Sequence, residues 1–439
     1  MTATPPVPSR VRAERQQYRV RAITGSLVIC AALAAAGLAL SHHQSPSPPR
    51  STGAASAQRI LYATLNGVTC SSSTHCVAVG EVVPGDKDSA TGDPDGDGRA
   101  SHTLVESSNE DHWRVTASPD EGKGGAVLSG VSCPTNVRCV AVGYYRPAKF
   151  PLQATSAPPN YPLIETYNGR LWQIAPSPHV PPNSILVSVS CPIVTMCVAV
   201  GSTTSNSTNQ TTVESLFAES LDGNVWSVMP TSSPPGTSSG LSSVSCSSSS
   251  RCVAVGNVAP SDHPSATTPL IEAFDGGHWT PAPLPAVAQG RGILYDVACA
   301  TGGQCTAVGS TEAHRTSGAA LVLSSSGTVW NPNAAAMEQH GDISLTAVAC
   351  PNTTSCVVAG TSLASLDASP EKILARVSAT TWDQLDVVPT SSTIDAVTCG
   401  QASRCLLVGS TTRNSFGNTT AVIASLSGAT WTPEATPTP

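Results

Sequence analysis

Val131-Ser132-Cys133, five further residues, then Cys139-Val140-Ala141-Val142-Gly143: this phrase recurs seven times along the 439-residue chain. Its cysteine pairs are Cys70/Cys76, Cys133/Cys139, Cys191/Cys197, Cys246/Cys252, Cys299/Cys305, Cys350/Cys356 and Cys399/Cys405, always with five residues between them. The second cysteine opens a variant of Cys-Val-Ala-Val-Gly, as divergent as Cys405-Leu406-Leu407-Val408-Gly409. Each unit adds one tryptophan, from Trp113 through Trp172, Trp226, Trp279, Trp330 and Trp382 to Trp431, and the chain has no other. Spacing between first cysteines shrinks from 63 residues (Cys70 to Cys133) to 49 (Cys350 to Cys399). That period suits a four-stranded propeller blade and is too long for a leucine-rich coil.

Four short strands can be read in each unit. The first ends on Val-x-Cys, as in Ile185-Leu186-Val187-Ser188-Val189-Ser190-Cys191, and the second is Cys-Val-Ala-Val-Gly. Facing residues of an antiparallel pair sit about 4.5–5.5 Å apart, a separation a disulfide accepts. Closing so short a loop adds about 2 kcal/mol per bridge in the chain-entropy account. Alternation places Val140 and Val142 on one face of the second strand and Cys139, Ala141 and Gly143 on the other. The third strand is an apolar run such as Leu163-Ile164 or Leu270-Ile271. It turns at Asn168-Gly169, Asp222-Gly223 or Asp275-Gly276, the strongest short hairpin signals, and the tryptophan follows on the fourth strand.

The reading is all-β: one seven-bladed β-propeller over residues 60–434, with a disulfide-bridged hairpin in each blade and no helix beyond an N-terminal transmembrane segment. The ring is expected to close by blade packing, without a strand shared between the two ends. Zinc is the rival use of paired cysteines, but Cys-x5-Cys exceeds zinc spacing and no third or fourth ligand recurs nearby. Paired cysteines at fixed spacing argue for an oxidising compartment, with Cys30 left unpaired.

Residues 1–21 carry five arginines against Glu14, and residues 22–40 are uncharged and apolar. That run is long enough to cross a bilayer with the basic end in the cytoplasm. A retained signal anchor and a cleaved signal peptide both fit; the length of the apolar run favours the anchor, and the small residues near Leu40 keep cleavage open. Cleavage would release the protein. Residues 41–58 form a Pro/Ser-rich linker. The propeller would then stand on the extracytoplasmic side of the cell membrane. With net charge −7 and +4 of basic residues at the N-terminus, the remainder is acidic, which disfavours nucleic acid.

The Val-Ser-Cys-Pro-x4-Cys-Val-Ala-Val-Gly phrase resembles the secreted, cysteine-paired propeller repeats common in actinobacteria. Ser220-Leu221-Asp222-Gly223-Asn224-Val225-Trp226 is also loosely similar to the Asp-box turn of sialidase-like (BNR) propellers, with the acid displaced to the position before the glycine. These resemblances imply the propeller fold. The second implies, as an alternative function, a sialidase-like glycoside hydrolase.

Asp93, Asp95 and Asp97 match the start of a calcium loop, with three carboxylates at alternate positions around Gly96 and Gly98. The closing Glu is missing, since Leu104 stands there. Calcium is therefore the one cofactor the sequence offers, and nothing in it requires one. Glu106, Glu165 and Glu272 share the phrase Leu-[Val/Ile]-Glu. Their recurrence in different blades spreads them around the ring, which suits a structural or solvent-facing role better than a glycosidase pair. The scattered Arg146, Arg291, Arg315 and Arg413 are the best available for an arginine triad. No Gly-x-Ser-x-Gly, His-Glu-x-x-His or phosphate-loop motif is present.

The uneven cluster is Tyr144-Tyr145-Arg146 with Tyr161, on the second-to-third-strand loop of blade two, in a chain with only 4% aromatic residues. Aromatic and arginine residues on exposed loops are favoured at interfaces. The Cys-x5-Cys and Gly-x-x-Trp turns lie on one rim of the propeller, and the variable loops lie on the other. Specific contact with an envelope protein or a glycan is therefore expected on the variable rim of blades one and two. The function this implies is a membrane-tethered, non-catalytic binding or scaffolding module.

Overall fold

Five-residue cysteine turns alternate with tight turns before each tryptophan, five of them with glycine, in seven separate antiparallel sheets, each of four strands in chain order. The structure is a computed structural model that describes residues 59–85, 100–109, 112–147, 158–206, 212–231, 233–313, 317–339, 342–363, 371–385, 392–400, 404–411 and 419–437. The N-terminal segments 1–58, Cys30 and the aspartates Asp93, Asp95 and Asp97 lie outside the described residues. Among the described residues no helix is long and apolar enough to cross a membrane.

Blade one comprises β1 (Arg59–Cys70), β2 (His75–Gly85), β3 (His102–Asn109) and β4 (His112–Val115). The others span 126–174, 184–228, 237–281, 292–332, 342–384 and 392–433. First strands of successive blades touch one another around the full circle, the seventh meeting the first, so they form the inner ring. The short tryptophan strands form the outer edge. The cores lie between blades, as seven clusters. In blade two, Val140 and Val142 pack with Leu186, Val189 and Ala199 of blade three, while Cys139 and Ala141 pack with Val77, Val79 and Val105 of blade one. The alternation read from Cys-Val-Ala-Val is thus the device that joins each sheet to both neighbours.

The glycine closing that phrase has a steric cause. A Cβ on Gly80, Gly143, Gly201, Gly256, Gly309, Gly360 or Gly409 would lie 1.9–2.1 Å from a carbonyl oxygen of the first strand. Beside each of these glycines the inner strand carries one extra residue, a β-bulge at Asn66, Ser129, Val187, Ser242, Tyr295, Thr346 or Asp395. Such a bulge bends a strand and increases its local twist. All seven lie at the same place on the inner ring, and all are partly exposed.

The serine of Val-Ser-Cys also has a role across blades. The hydroxyls of Ser132, Ser190 and Ser245 accept from the backbone N–H of Cys191, Cys246 and Cys299 in the following blade, at 3.0, 3.0 and 2.9 Å. A buried N–H left unpaired would cost about 1–3 kcal/mol.

All seven pairs are bridged within their own hairpins, as Cys70–Cys76, Cys133–Cys139, Cys191–Cys197, Cys246–Cys252, Cys299–Cys305, Cys350–Cys356 and Cys399–Cys405. One expectation about them needs correction. Their Cα atoms are 3.9–4.1 Å apart, closer than the 4.5–5.5 Å expected of facing residues in an open ladder. The second cysteine lies, as the alternation of the second strand predicts, on a face that packs against a neighbouring blade. Cys76, Cys139, Cys197, Cys252, Cys305, Cys356 and Cys405 are all buried, and each belongs to a different one of the seven inter-blade clusters. The reason is position: this residue opens the second strand on the face that meets the preceding blade. Of their partners, Cys133 and Cys191 are buried too, whereas Cys70, Cys246, Cys299, Cys350 and Cys399 are partly exposed.

The ring closes without a shared strand. A parallel bridge joins Tyr62 to Thr419, whose carbonyl accepts from Ala63 N–H at 3.1 Å. Glu434, just past the last strand, accepts from Trp113 Nε1 of blade one and from Arg404 Nη2 of blade seven at 2.7 Å.

A second correction concerns helix: two short helical turns are present. A 3-10 turn at Ala286–Ala288 leads into blade five and α1 (Ala334–Met337) into blade six. These linkers carry alanine where others carry Pro and Ser. Asn333 caps α1 by accepting from Ala336 N–H at 3.0 Å. An Asn cap ahead of an alanine run is a strong local helix signal.

Candidate functional site

Blade two carries a cleft of about 450 Å³ on the variable rim. Three separate segments supply its walls: the incoming linker gives Glu121, the second and third strands give Tyr145 and Tyr161, and the outgoing linker gives Pro176, Pro178 and His179. Tyr145 and Tyr161 face each other across the ladder, with ring centroids 5.8 Å apart and a 32° tilt. The incoming linker approaches closely because residue 122 is glycine. Its φ is +76°, and a Cβ there would lie 2.2 Å from the carbonyl oxygen of Arg146. Burial, with Glu121 and Tyr161 nearby, raises the Tyr145 hydroxyl above its ordinary pKa. The phenol therefore stays neutral and can both donate and accept.

The four residues singled out from the sequence form two pairs, and the loop expected to carry them is corrected in its bounds. Tyr144 and Tyr145 end the second strand and Tyr161 opens the third, because the ladder extends that far. Tyr145 and Tyr161 share the cleft. Tyr144 and Arg146, on the other parity of the strand, form a cation–π contact of 5.6 Å. Arg146 Nε also donates to Asn160 Oδ1 at 3.0 Å. Glu121, His179 and the two prolines escaped the sequence reading. They sit in linkers far from the aromatic cluster in sequence, and only the Gly122-Lys123-Gly124-Gly125 run hinted at a close approach.

The glutamates do not face solvent, one of the two roles expected of them, but are buried: Glu106, Glu165 and Glu219 are fully covered and Glu272 is 2% exposed. Glu219 was missed because Phe217-Ala218 breaks the Leu-[Val/Ile]-Glu phrase. Counting back seven residues from each tryptophan finds all four. Burial raises each carboxyl to about 7. Serines in the preceding linkers oppose this for two of them: Ser118 donates to Glu165 at 2.6 Å and Ser177 to Glu219 at 3.1 Å. Both oxygens of Glu106 lack a hydrogen-bond partner among the described residues. One such group stands in each of blades one to four, so the four are spread around the ring rather than gathered at one point.

Asp296, on the inner strand of blade five, joins three blades. It accepts from Ser243 Oγ of blade four at 2.6 Å and from Val297 N–H at 2.8 Å, and its other oxygen accepts from Val348 N–H of blade six at 2.8 Å. Protein surrounds it, although the ring interior leaves it partly exposed; enclosure raises its carboxyl to about 6 against these bonds. Five of the tryptophans, including Trp172 and Trp431, are buried at blade interfaces and the other two are partly buried. Their place is in packing. Among the described residues no group of His, Cys, Asp or Glu is arranged to hold a metal.

No family model and no curated protein matches the chain. Its fold is similar to solved propellers at low identity. One is a PL25 ulvan lyase bound to a glucuronate–sulfated rhamnose unit, with TM-score 0.50, 8% identity, and 84% of this chain and 94% of that one covered. A second is the β-propeller domain of the Trilobed protease from Pyrococcus furiosus, with TM-score 0.49, 8% identity, and coverage of 86% and 98%. A third is the Trypanosoma rangeli sialidase, with TM-score 0.38, 10% identity, and coverage of 86% and 54%. At these identities the likeness is one of fold alone.

Proposed function

We propose that this protein is a non-catalytic, extracytoplasmic binding propeller, held at the cell membrane by residues 22–40, that engages its ligand on the variable rim of blade two. The observation that carries this reading is the cleft between the Tyr145–Tyr161 pair and the Pro176-Ser177-Pro178 wall. Apolar rings and prolines supply contact area, and Glu121, His179 and the phenol hydroxyls supply direction, the usual make-up of a recognition pocket. The seven hairpin disulfides support an oxidising compartment. Burial of the four glutamates weighs against the sialidase-like alternative, which needs acids exposed together.

The test is a pull-down from the native envelope, paired with a glycan binding and hydrolysis screen. Wild-type protein should retain a protein or glycan that Tyr145→Ala/Tyr161→Ala loses by tenfold or more. Calcium, bound through Asp93, Asp95 and Asp97, would order the connection between the second and third strands of blade one, and chelation would then weaken retention. A ligand held equally by both proteins would refute the site, and glycan turnover would refute the non-catalytic reading.

A further inference from the structure

The outer edges of the seven blades are not alike. In every blade the third residue after the tryptophan, from Thr116 in blade one to Glu434 in blade seven, donates its N–H to the third strand at 2.8–2.9 Å. Main-chain groups alternate in direction along an antiparallel strand, so the residue before it turns its N–H and C=O away from the blade. That outward residue is Pro281, Pro332 and Pro433 in blades four, five and seven, and Gln384 in blade six. In blades one, two and three it is Val115, Ile174 and Val228, each with an exposed side chain. Proline removes the outward donor and closes an edge to further pairing, whereas a β-branched residue leaves the edge able to take another strand.

Of these three edges, that of blade two opens into the cleft. Ile174 and Ala175 belong to the cleft wall together with Glu121, Tyr145 and Tyr161, whereas Val115 and Val228 do not. By the same alternation Trp172, two residues before Ile174, also turns its N–H and C=O outward. The edge therefore offers two donors and two acceptors in a row beside an aromatic pocket. Among the residues lining that pocket Glu121 is the one carboxylate, and no lysine or arginine stands with it.

We infer that the ligand of this cleft is an extended polypeptide segment that adds to blade two as a fifth strand, pairing with the outward groups of Trp172 and Ile174 and placing a lysine or arginine beside Glu121. The inference rests on the cleft being the binding site and names the class of its ligand. Strand addition draws affinity from main-chain hydrogen bonds and specificity from pockets for alternate side chains. Here the tyrosine rings and Pro176 offer surface to an apolar side chain, and the carboxylate gives a cation its charged partner. A glycan carries no N–H and C=O groups at strand spacing, so the open edge favours a peptide.

The test is selection of a displayed library of short random peptides on the full chain. The expected pool carries a lysine or arginine and binds Ile174→Pro more weakly than wild type by about tenfold or more, the scale of a lost hydrogen bond left unpaired. Ile174→Val, which keeps the N–H, should bind like wild type, and Glu121→Gln should weaken the pool. Because blades four, five and seven hold proline at the same place, Ile174→Pro is compatible with the fold, and retention of all seven bridges checks it. In a selected peptide, N-methylation of the amides on one parity should abolish binding, and methylation on the other parity should not. Peptides lost by Tyr145→Ala/Tyr161→Ala but held by Ile174→Pro would leave the cleft as the site and overturn the added strand. Peptides held by both variants would refute the cleft itself. A library that yields no binder, or binders indifferent to Glu121→Gln, would also overturn the proposal.

Discussion

Blades one to four and blades five to seven share one backbone plan but hold their interfaces together by different chemistry. Seven residues before the tryptophan, the first group carries Glu106, Glu165, Glu219 and Glu272, and the second carries Leu323, Ala375 and Ala424. The linker that covers this position changes with it. Ser118 and Ser177 donate to Glu165 and Glu219. In blade five, Leu284 of the linker packs with the cluster containing Leu323; in blade six, Ala336 of α1 packs with that of Ala375; in blade seven, Leu385 packs with that of Ala424. In blades two and three a buried carboxyl and its linker hydroxyl form a hydrogen-bonded polar pair where blades five to seven have an apolar one, in keeping with the cost of leaving a buried polar group unpaired. In blade one Glu106 has no such partner among the described residues. The lesson is that the compatible unit is the pair of linker and blade, more than the blade alone.

The strongest way to break this comparison is to move one member without the other. Leu323→Glu would put a carboxylate against Leu284 with no hydroxyl in reach. At pH 8 it should destabilise the protein by about 4 kcal/mol, the scale of an uncompensated buried charge. Adding Leu284→Ser should recover about 1 kcal/mol or more of that loss. Urea unfolding of the single and double variants decides it, and a single variant that costs less than the double would refute the pairing rule.

A smaller effect separates the two groups by pH. Burial raises Glu165 to about 7 from the ordinary 4.5, so between those values the folded protein holds a proton that the unfolded chain has released. Stability must therefore fall as pH rises through this window, by about 3 kcal/mol for such a shift once pH is well above 7. Glu165→Gln, which keeps the shape and stays neutral, should match wild type near pH 4 and be the more stable protein at pH 8. Thermal midpoints at the two pH values provide the measurement; a difference that does not grow with pH would show that the carboxyl is not carrying the burial cost. No such gain is expected from Ala424→Ser in blade seven, where no buried carboxyl stands.

The smallest effect concerns the serine of Val-Ser-Cys. Blades two, three and four use Ser132, Ser190 and Ser245 to receive the next blade's cysteine N–H, whereas blades five and six have Ala298 and Ala349 at the same place. Ser245→Ala should cost about 1 kcal/mol by leaving Cys299 N–H without its acceptor. Ala298→Ser should raise stability by about 0.5 kcal/mol if it offers the same acceptor to Cys350. Amide hydrogen exchange at Cys299 and Cys350 reports each change locally. Unchanged exchange at Cys299 in Ser245→Ala would remove the serine from any role between blades.

Most of the fold was legible in the chain because the interactions that specify it are short in sequence. The cysteine hairpin closes over five residues, the Asn-Gly and Asp-Gly turns over two, and Val-Ala-Val alternation is read within a single strand. Repetition in phase then made the blade count and ring closure by packing follow from the period. What the sequence did not disclose depends on pairs of residues brought together across blades. Ser177 and Glu219 are 42 residues apart, Asp296 and Val348 are 52 apart, and Trp113 and Glu434 are 321 apart. The cleft gathers Glu121, Tyr145, Tyr161 and His179 from three segments. Local propensity has no term for such meetings. They arise only once the sheets are stacked around a common axis, where linker length and the tilt of each blade decide which side chains share a surface.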